Sequence, residues 1–256
     1  MELKVFKKTL LLGLVVSVNG LYADINLYGP GGPHTALIDA AKKFEEKTNI
    51  KVNVNFGPES TWRDKAKKDA DILFGPSQQS ATAIIYDFRD KFELKDLQSM
   101  YYHDAIILVK KGNPKNIKSL DDLIKPNINI VVIDGSGYSN TSGTGVWEDI
   151  VGRKHDINFT QKFRKNITSF APNSGSAFKA FKDDNADAWI TWRDWAISNP
   201  NEGQVVNISS KYNISRDFNI VVSKDNKNSE VNRFVNYLTS NEGLKSFYSY
   251  GWYISR

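Results

Sequence analysis

The sequence predicts an α/β fold of two lobes, each a mainly parallel sheet with helices on its faces, the pair joined by two crossover strands. Three observations predict it. A local grammar recurs: a short β-branched or apolar run, a turn rich in Gly, Pro, Ser and Thr, then a segment of helical periodicity. Two further apolar runs, Ala105 to Val109 and Phe218 to Val222, lack such a turn and flank the middle of the chain. The length suits two modest cores and is too short for three.

Residues 1–23 have the parts of a secretory signal: Lys4, Lys7 and Lys8, an apolar stretch from Leu10 to Val18, then Leu21, Tyr22 and Ala23 before Asp24. Cleavage after Ala23 is expected, giving a periplasmic protein without a lipid anchor, since no cysteine follows. Asp24 to Tyr28 then leads through GPGGPH to a helix from about Thr35 to Lys47, with Leu37, Ala40, Ala41 and Phe44 on one face. Lys51 to Phe56 leads through GPEST to a helix near Trp62, and Asp71 to Phe74 through GPSQQS to a helix from about Ala81. Ile128 to Ile133 leads to NTSGTG and a helix at Val146. Ile167 to Ala171 leads through PNSGS to the helix Ala177 to Lys182, and Ala188 to Thr191 runs into Trp192, Arg193 and Asp194. The expected division is 24–106 with 219–256 as lobe 1 and 107–218 as lobe 2, with a ligand cleft between them.

Bulk properties narrow the function. Loss of the signal lowers the formal net charge from +5 to +3, too weak and dispersed for nucleic acid. The absence of cysteine excludes disulfides and thiolate chemistry. His34, His103 and His155 are the only histidines and no pair has metal-ligand spacing, so neither metal nor cofactor is expected. No later stretch approaches the roughly 20 apolar residues of a membrane span.

In open α/β sheets, ligands sit at the carboxyl ends of strands. Five loops of one composition fall there, with Thr35, Ser60, Thr61, Ser77, Gln78, Thr141, Ser142, Thr144, Ser174 and Ser176 as polar members. Gly32, Gly143, Gly145 and Gly175 let backbone N–H groups approach closely. NTSGTG opens directly onto a helix, whose first N–H groups can hold an oxyanion without a metal. The same residues read as an ordinary helix cap, and Glu148 and Asp149 already use part of the dipole.

YGPGGPHTAL, NFGPEST before Trp62, DILFGPSQQS, NTSGTGVWED, PNSGSA and ADAWITW resemble the AcfC-like exported proteins, a group with the accessory colonization factor and the Peb-type major antigenic peptide, related to molybdate- and sulfate-type periplasmic binding proteins. The resemblance covers essentially the whole mature chain. It implies a type II periplasmic-binding-protein fold and a hinge-closing receptor for a small oxyanion: sulfate, a phosphoglycerate-like acid or a citrate-like acid. It carries a ligand-binding role to Thr35, Ser60 or Thr61, and Ser77 in lobe 1. In lobe 2 it carries the role to Thr141, Ser142, Gly143 and Thr144, to Ser174, Gly175 and Ser176, and to Trp192. Tyr138 and Phe178 stand where the Peb-type pattern has basic residues, which implies a less charged or smaller anion. The resemblance also implies a homodimer and an ABC permease or chemoreceptor as partner.

Arg193 is the candidate cation of the cleft, because guanidinium matches oxyanions in a fork; a salt bridge to Asp194 or another acid is the competing reading. Arg153 reads as a dipole partner at a helix end. Trp189, Trp192 and Trp195 have helical i, i+3 spacing, yet Ala188 to Thr191 reads equally as a strand, which leaves Trp192 alone for the cleft. Among five Asn-x-Ser/Thr triplets, only Asn158 has an acid two residues earlier, Asp156, the form bacterial N-glycosylation requires. The leading expectation is a binding protein and no enzyme. The alternatives are an adhesin or antigen reusing the fold, which would be surface-associated, and a hydrolase or transferase of anionic substrates. Against the last, GSGYS and NTSGTG lack nucleophile-elbow spacing and no lysine completes a P-loop.

Overall fold

The structure is a computed structural model that describes residues 23–135, 141–183 and 186–255. The signal segment up to residue 22, Tyr138 and Asn140 lie outside the described residues.

β1 (Ile25–Gly29) runs parallel between β2 (Val52–Phe56) and β3 (Ile72–Gly75). α1 (His34–Thr48) forms because Ala36, Leu37, Ala40, Ala41 and Phe44 recur on one face, and all five are buried. It stops at Asn49, whose φ of 62° is left-handed and whose N–H donates to the Glu45 carbonyl. α2 (Arg63–Asp69) makes the next crossover, and α3 (Gln78–Asp87) follows β3 with Ser77 as its cap, the Ser77 hydroxyl accepting from Ser80 N–H at 3.0 Å.

β4 (Gln98–Lys110) is longer than the apolar run Ala105 to Val109 that predicts it. Residues 98–104 pair antiparallel with β9 (Ser215–Val222), which in turn pairs with β3. From Ala105 onward the same strand pairs with β7 (Ala188–Trp192) and β8 (Gly203–Asn207). β5 (Ile130–Ile133) lies parallel to both β7 and β6 (Ile167–Ala171). The sheet order is β2-β1-β3-β9-β4-β7-β5-β6, with β8 attached to β4. β4 therefore belongs to both halves.

Helices cover both faces of each half. α1 packs on the first half with α8 (Ser229–Leu238) and α9 (Asn241–Ser249), while α2 and α3 bury Tyr28, Leu73 and Val221 on the opposite face. In the second half, α4 (Val146–Gly152) and α5 (Ile157–Lys165) bury Trp147, Ile150, Phe159 and Phe163 against Ile130, Val132 and Ile190. α6 (Ser174–Asp183) and α7 (Arg193–Ser198) close the other face through Ala177, Phe181 and Ala196. Each large side chain so buried stabilises by about 1.5–3 kcal/mol. Among the described residues no helix is long and apolar enough to cross a membrane.

Candidate functional site

The loops after β1, β3 and β5 meet around the crossing of β4 and β9. Gly32, after β1, lies so close to Pro76, after β3, that a Cβ on it would come within 2.9 Å of the Pro76 Cβ. The hydroxyl of Thr35 at the start of α1 is 3.2 Å from that of Ser198 at the end of α7, a contact between the two halves. Gln78 N–H donates to Asp217 Oδ1 on β9 at 3.2 Å.

The segment Thr141 to Gly145 is held from three sides. A Cβ on Gly143 would sit 2.3 Å from Ile133 Cδ1 and 3.1 Å from its Cβ, so any larger residue would have to displace the Ile133 side chain at the end of β5. Gly145 precedes α4 with φ of 75°, a left-handed conformation that glycine adopts at no steric cost. Within the turn, Thr144 N–H donates to the Thr141 carbonyl and Thr141 N–H to the Thr144 hydroxyl. Arg216 of β9 supplies the outer hold: its Nη1 donates to the carbonyls of Ser142 at 2.7 Å and Thr144 at 3.1 Å, and its Nη2 to Asp149 Oδ2 at 3.0 Å. In a trans peptide C=O and N–H point opposite ways. Fixing those two carbonyls on Arg216 therefore turns the N–H groups of Gly143 and Gly145 away from it.

His103 lies opposite Arg216 in the β4–β9 register and is fully buried. Its ring stacks between Trp192 at 4.1 Å and Trp252 at 4.0 Å, with interplanar angles of 13° and 12°. Nδ1 is 3.2 Å from Asp194 Oδ1 and Nε2 is 3.2 Å from the Pro76 carbonyl oxygen. The Arg216 guanidinium lies 5.9 Å from the centre of the Trp192 ring.

The sequence-predicted residues divide by position. Ser77, Thr141, Ser142, Gly143, Thr144 and Trp192 are brought to this crossing, with Ser77, Ser142 and Trp192 buried. Thr35 reaches it through Ser198. Ser60 and Thr61 are exposed, and the Thr61 hydroxyl donates to the Pro58 carbonyl at 2.7 Å. Ser174, Gly175 and Ser176 form the first turn of α6, where Asn173 supplies the cap by accepting from Ser176 N–H at 2.9 Å. Arg193 donates to Asn207 Oδ1 at 2.7 Å rather than pairing with Asp194, which faces His103 instead. Arg153 donates to the Asn213 carbonyl at 2.7 Å, and Phe178 packs against Trp189 and Trp195. Trp189 and Trp192 share strand β7, while Trp195 stands on α7, so the helical spacing of the three is incidental. Asn158 is exposed near the start of α5, where Asp156 accepts from Asn158 N–H at 2.9 Å and Phe159 N–H at 3.1 Å.

Sequence reasoning passed over His103, Asp194 and Arg216. Among the histidines only His34, in the first glycine-rich loop, reads as an anion donor or loop cap, and its Nδ1 meets the Gly31 carbonyl; Asp194 reads only as a partner for Arg193. Arg216 precedes the apolar run Phe218 to Val222, so a strand begun at Phe218 leaves it out.

The model of the bacterial extracellular solute-binding protein family matches residues 25–253. The chain is 54% identical to Peb3 from Campylobacter jejuni, with a TM-score of 0.86, covering 91% of this chain and 100% of that one. It is 55% identical to PEB3 bound to L-phospholactate, with a TM-score of 0.87 and the same coverage of 91% and 100%. The sulfate-binding protein SubI from Mycobacterium tuberculosis H37Rv shares the fold at 15% identity, with a TM-score of 0.73 over 90% of this chain and 86% of that one. No curated protein matches. With glycine-shaped loops gathered where β4 and β9 join two α/β halves, and a family model matching nearly all of the described length, the chain belongs to the bacterial extracellular solute-binding proteins.

Proposed function

We propose that this protein captures a small oxyanion in the cleft between the halves, using Ser and Thr hydroxyls and the N–H groups of the Thr141 to Gly145 turn. The observation that carries the reading is the grip of Arg216 on the Ser142 and Thr144 carbonyls, which turns amide donors of that loop away from β9. The ligand class is a phosphorylated three-carbon acid or a similar small anion, supported by the 55% identity to PEB3 bound to L-phospholactate. Ser77, Thr141, Ser142, Gly143, Thr144 and Trp192 form the inner set in this reading, with Thr35 at the rim. Ser60, Thr61, Ser174 to Ser176 and Arg193 would join on closure. The lobes divide at 106/107 and 218/219 and close about β4 and β9, and the closed form is read by an ABC permease or a chemoreceptor. The protein works in the periplasm after loss of residues 1–23, as a homodimer.

A thermal-shift screen of sulfate, phosphate, molybdate, phosphoglycerate, phospholactate and citrate tests the reading. At least one is expected to raise the melting temperature; no shift with any of them contradicts anion capture. With the anion so identified, Thr141→Ala with Ser142→Ala is expected to weaken calorimetric binding severely while the protein stays folded. Unchanged affinity would remove that loop from the site. Asn158 is the glycosylation site in this reading, and intact mass before and after Asn158→Gln in a glycosylating host checks it. A difference equal to the substitution alone rejects it.

A further inference from the structure

His103 is a fully buried titratable group at the point where β4 passes between the halves, and anion capture as described leaves it without a task. Its two ring nitrogens each face an acceptor, Asp194 Oδ1 and the Pro76 carbonyl oxygen, both at 3.2 Å. A carboxylate and a carbonyl only accept, whereas a neutral imidazole has one N–H and one lone pair. Either neutral tautomer would aim a lone pair at one of these oxygens. The doubly protonated ring donates to both. Its faces also suit a cation, since the parallel indoles of Trp192 and Trp252 lie 4.1 Å and 4.0 Å away.

The neighbouring charges come from three elements. On α7, Asp194 favours the cation. On β4 itself, Asp104 points to the opposite face of the strand, where it accepts from Ser215 at 2.7 Å and Tyr253 at 2.5 Å. On β9, Arg216 opposes a second cation, but its guanidinium is bonded to two carbonyls and to Asp149. β7 and the segment after α9 contribute Trp192 and Trp252, and the loop after β3 contributes the Pro76 carbonyl.

We propose that His103, as an imidazolium, is the positioning residue of the anion site: it clasps Pro76, and with it Ser77, to Asp194 and Trp192, and so links anion capture to proton uptake. The linkage rests on the anion-binding reading above. Loss of the proton breaks one of the two bonds and frees the Pro76 loop from α7. Anion affinity therefore falls as pH rises, by up to about tenfold per pH unit for one fully linked proton.

Nitrogen-15 NMR of histidine-labelled protein at about pH 6, within the ordinary histidine range, reads the clasp without any ligand. His34→Gln with His155→Gln leaves the His103 signals alone and its surroundings intact. Two N–H couplings on the His103 ring are expected; a single one overturns the proposal. Calorimetry with sulfate, whose charge is constant over this interval, should then give affinity at least about tenfold weaker at about pH 8 than at about pH 6. The His103→Gln protein should bind weakly and equally at both. Equal affinity of the parent at the two pH values overturns the linkage. A parent that binds no sulfate at either pH removes the anion reading for that ion and the linkage with it, whereas two N–H couplings in the same sample would still establish the clasp.

Discussion

Arg216 holds the Thr141 to Gly145 turn without being one of its residues. Its bonds to Ser142 O, Thr144 O and Asp149 cross from β9 to the turn, and its side chain is 15% exposed. Charge-assisted bonds of this kind contribute about 1.5–3 kcal/mol. Arg216→Ala is therefore expected to weaken anion binding roughly ten- to a hundredfold in calorimetry. Asp149→Asn should change little, because Asp149 is 56% exposed and such pairs contribute about 0–1 kcal/mol. Equal losses in the two variants would make Arg216 a surface ion-pair partner only. Gly143→Ala is the steric counterpart: a Cβ pressed onto Ile133 should lower stability by about 1–3 kcal/mol in denaturant unfolding, and unchanged stability would mean that the turn is free to move. At this scale the sequence was half legible. Gly143, Ser142 and Ser77 announce themselves by composition, because hydroxyls and glycines cluster in loops. His103 and Arg216 do not, because each sits in a polar stretch of strand and meets residues remote in the chain, Asp194 and Ser142, both more than 70 residues away.

Among the elements, helices that follow a loop rich in glycine and hydroxyls are legible and those without one are not, even where the apolar face is strong, as in α8 with Val231, Phe234, Val235 and Leu238 buried. α1 appears within a residue of its expected start because its five buried residues share one face. The start of β4, seven residues before the apolar run, is not legible because Gln98 to Asp104 show no regular alternation: Gln98, Ser99 and Tyr102 are exposed, Met100, Tyr101, His103 and Asp104 buried, and a bulge interrupts the pairing after Ser99. α5, α8, α9 and β8 escaped notice, being flanked by ordinary polar turns with no glycine-rich loop to mark them. The short 3₁₀ helix Leu120–Ile124 shows how such an element is fastened. Asp122 accepts from the N–H groups of Lys118 at 2.8 Å and Ser119 at 2.9 Å and pairs with Lys125. The Lys125 ammonium, then the Lys118 amide, hold its carboxyl down at about 2. Because the folded value lies below the unfolded one, the stabilisation is complete above the ordinary carboxylate range and is lost as pH falls toward about 2. Urea unfolding of the parent and of Asp122→Asn should thus differ at neutral pH and converge in acid. A constant difference down to the lowest pH would refute the assignment.

At the scale of the whole molecule, the alternation of strands, loops and helices was enough to predict an α/β fold of two halves, because each parallel strand needs its own crossover. The convergence of the loops was only inferable by rule, since which hydroxyls face inward depends on the curl of one nine-stranded sheet about β4. Both crossover runs were visible, and the structure extends each backward into the residues that join the halves: His103 on β4 and Arg216 on β9. Closure of those halves over an anion is the central claim. A crystal structure of the protein with the anion that most raises its melting temperature tests it most directly. The account predicts the anion between the Thr141 to Gly145 turn and the Ser77 loop, within hydrogen-bond distance of both. An anion bound outside the junction of β4 and β9, with these loops unoccupied, would contradict it.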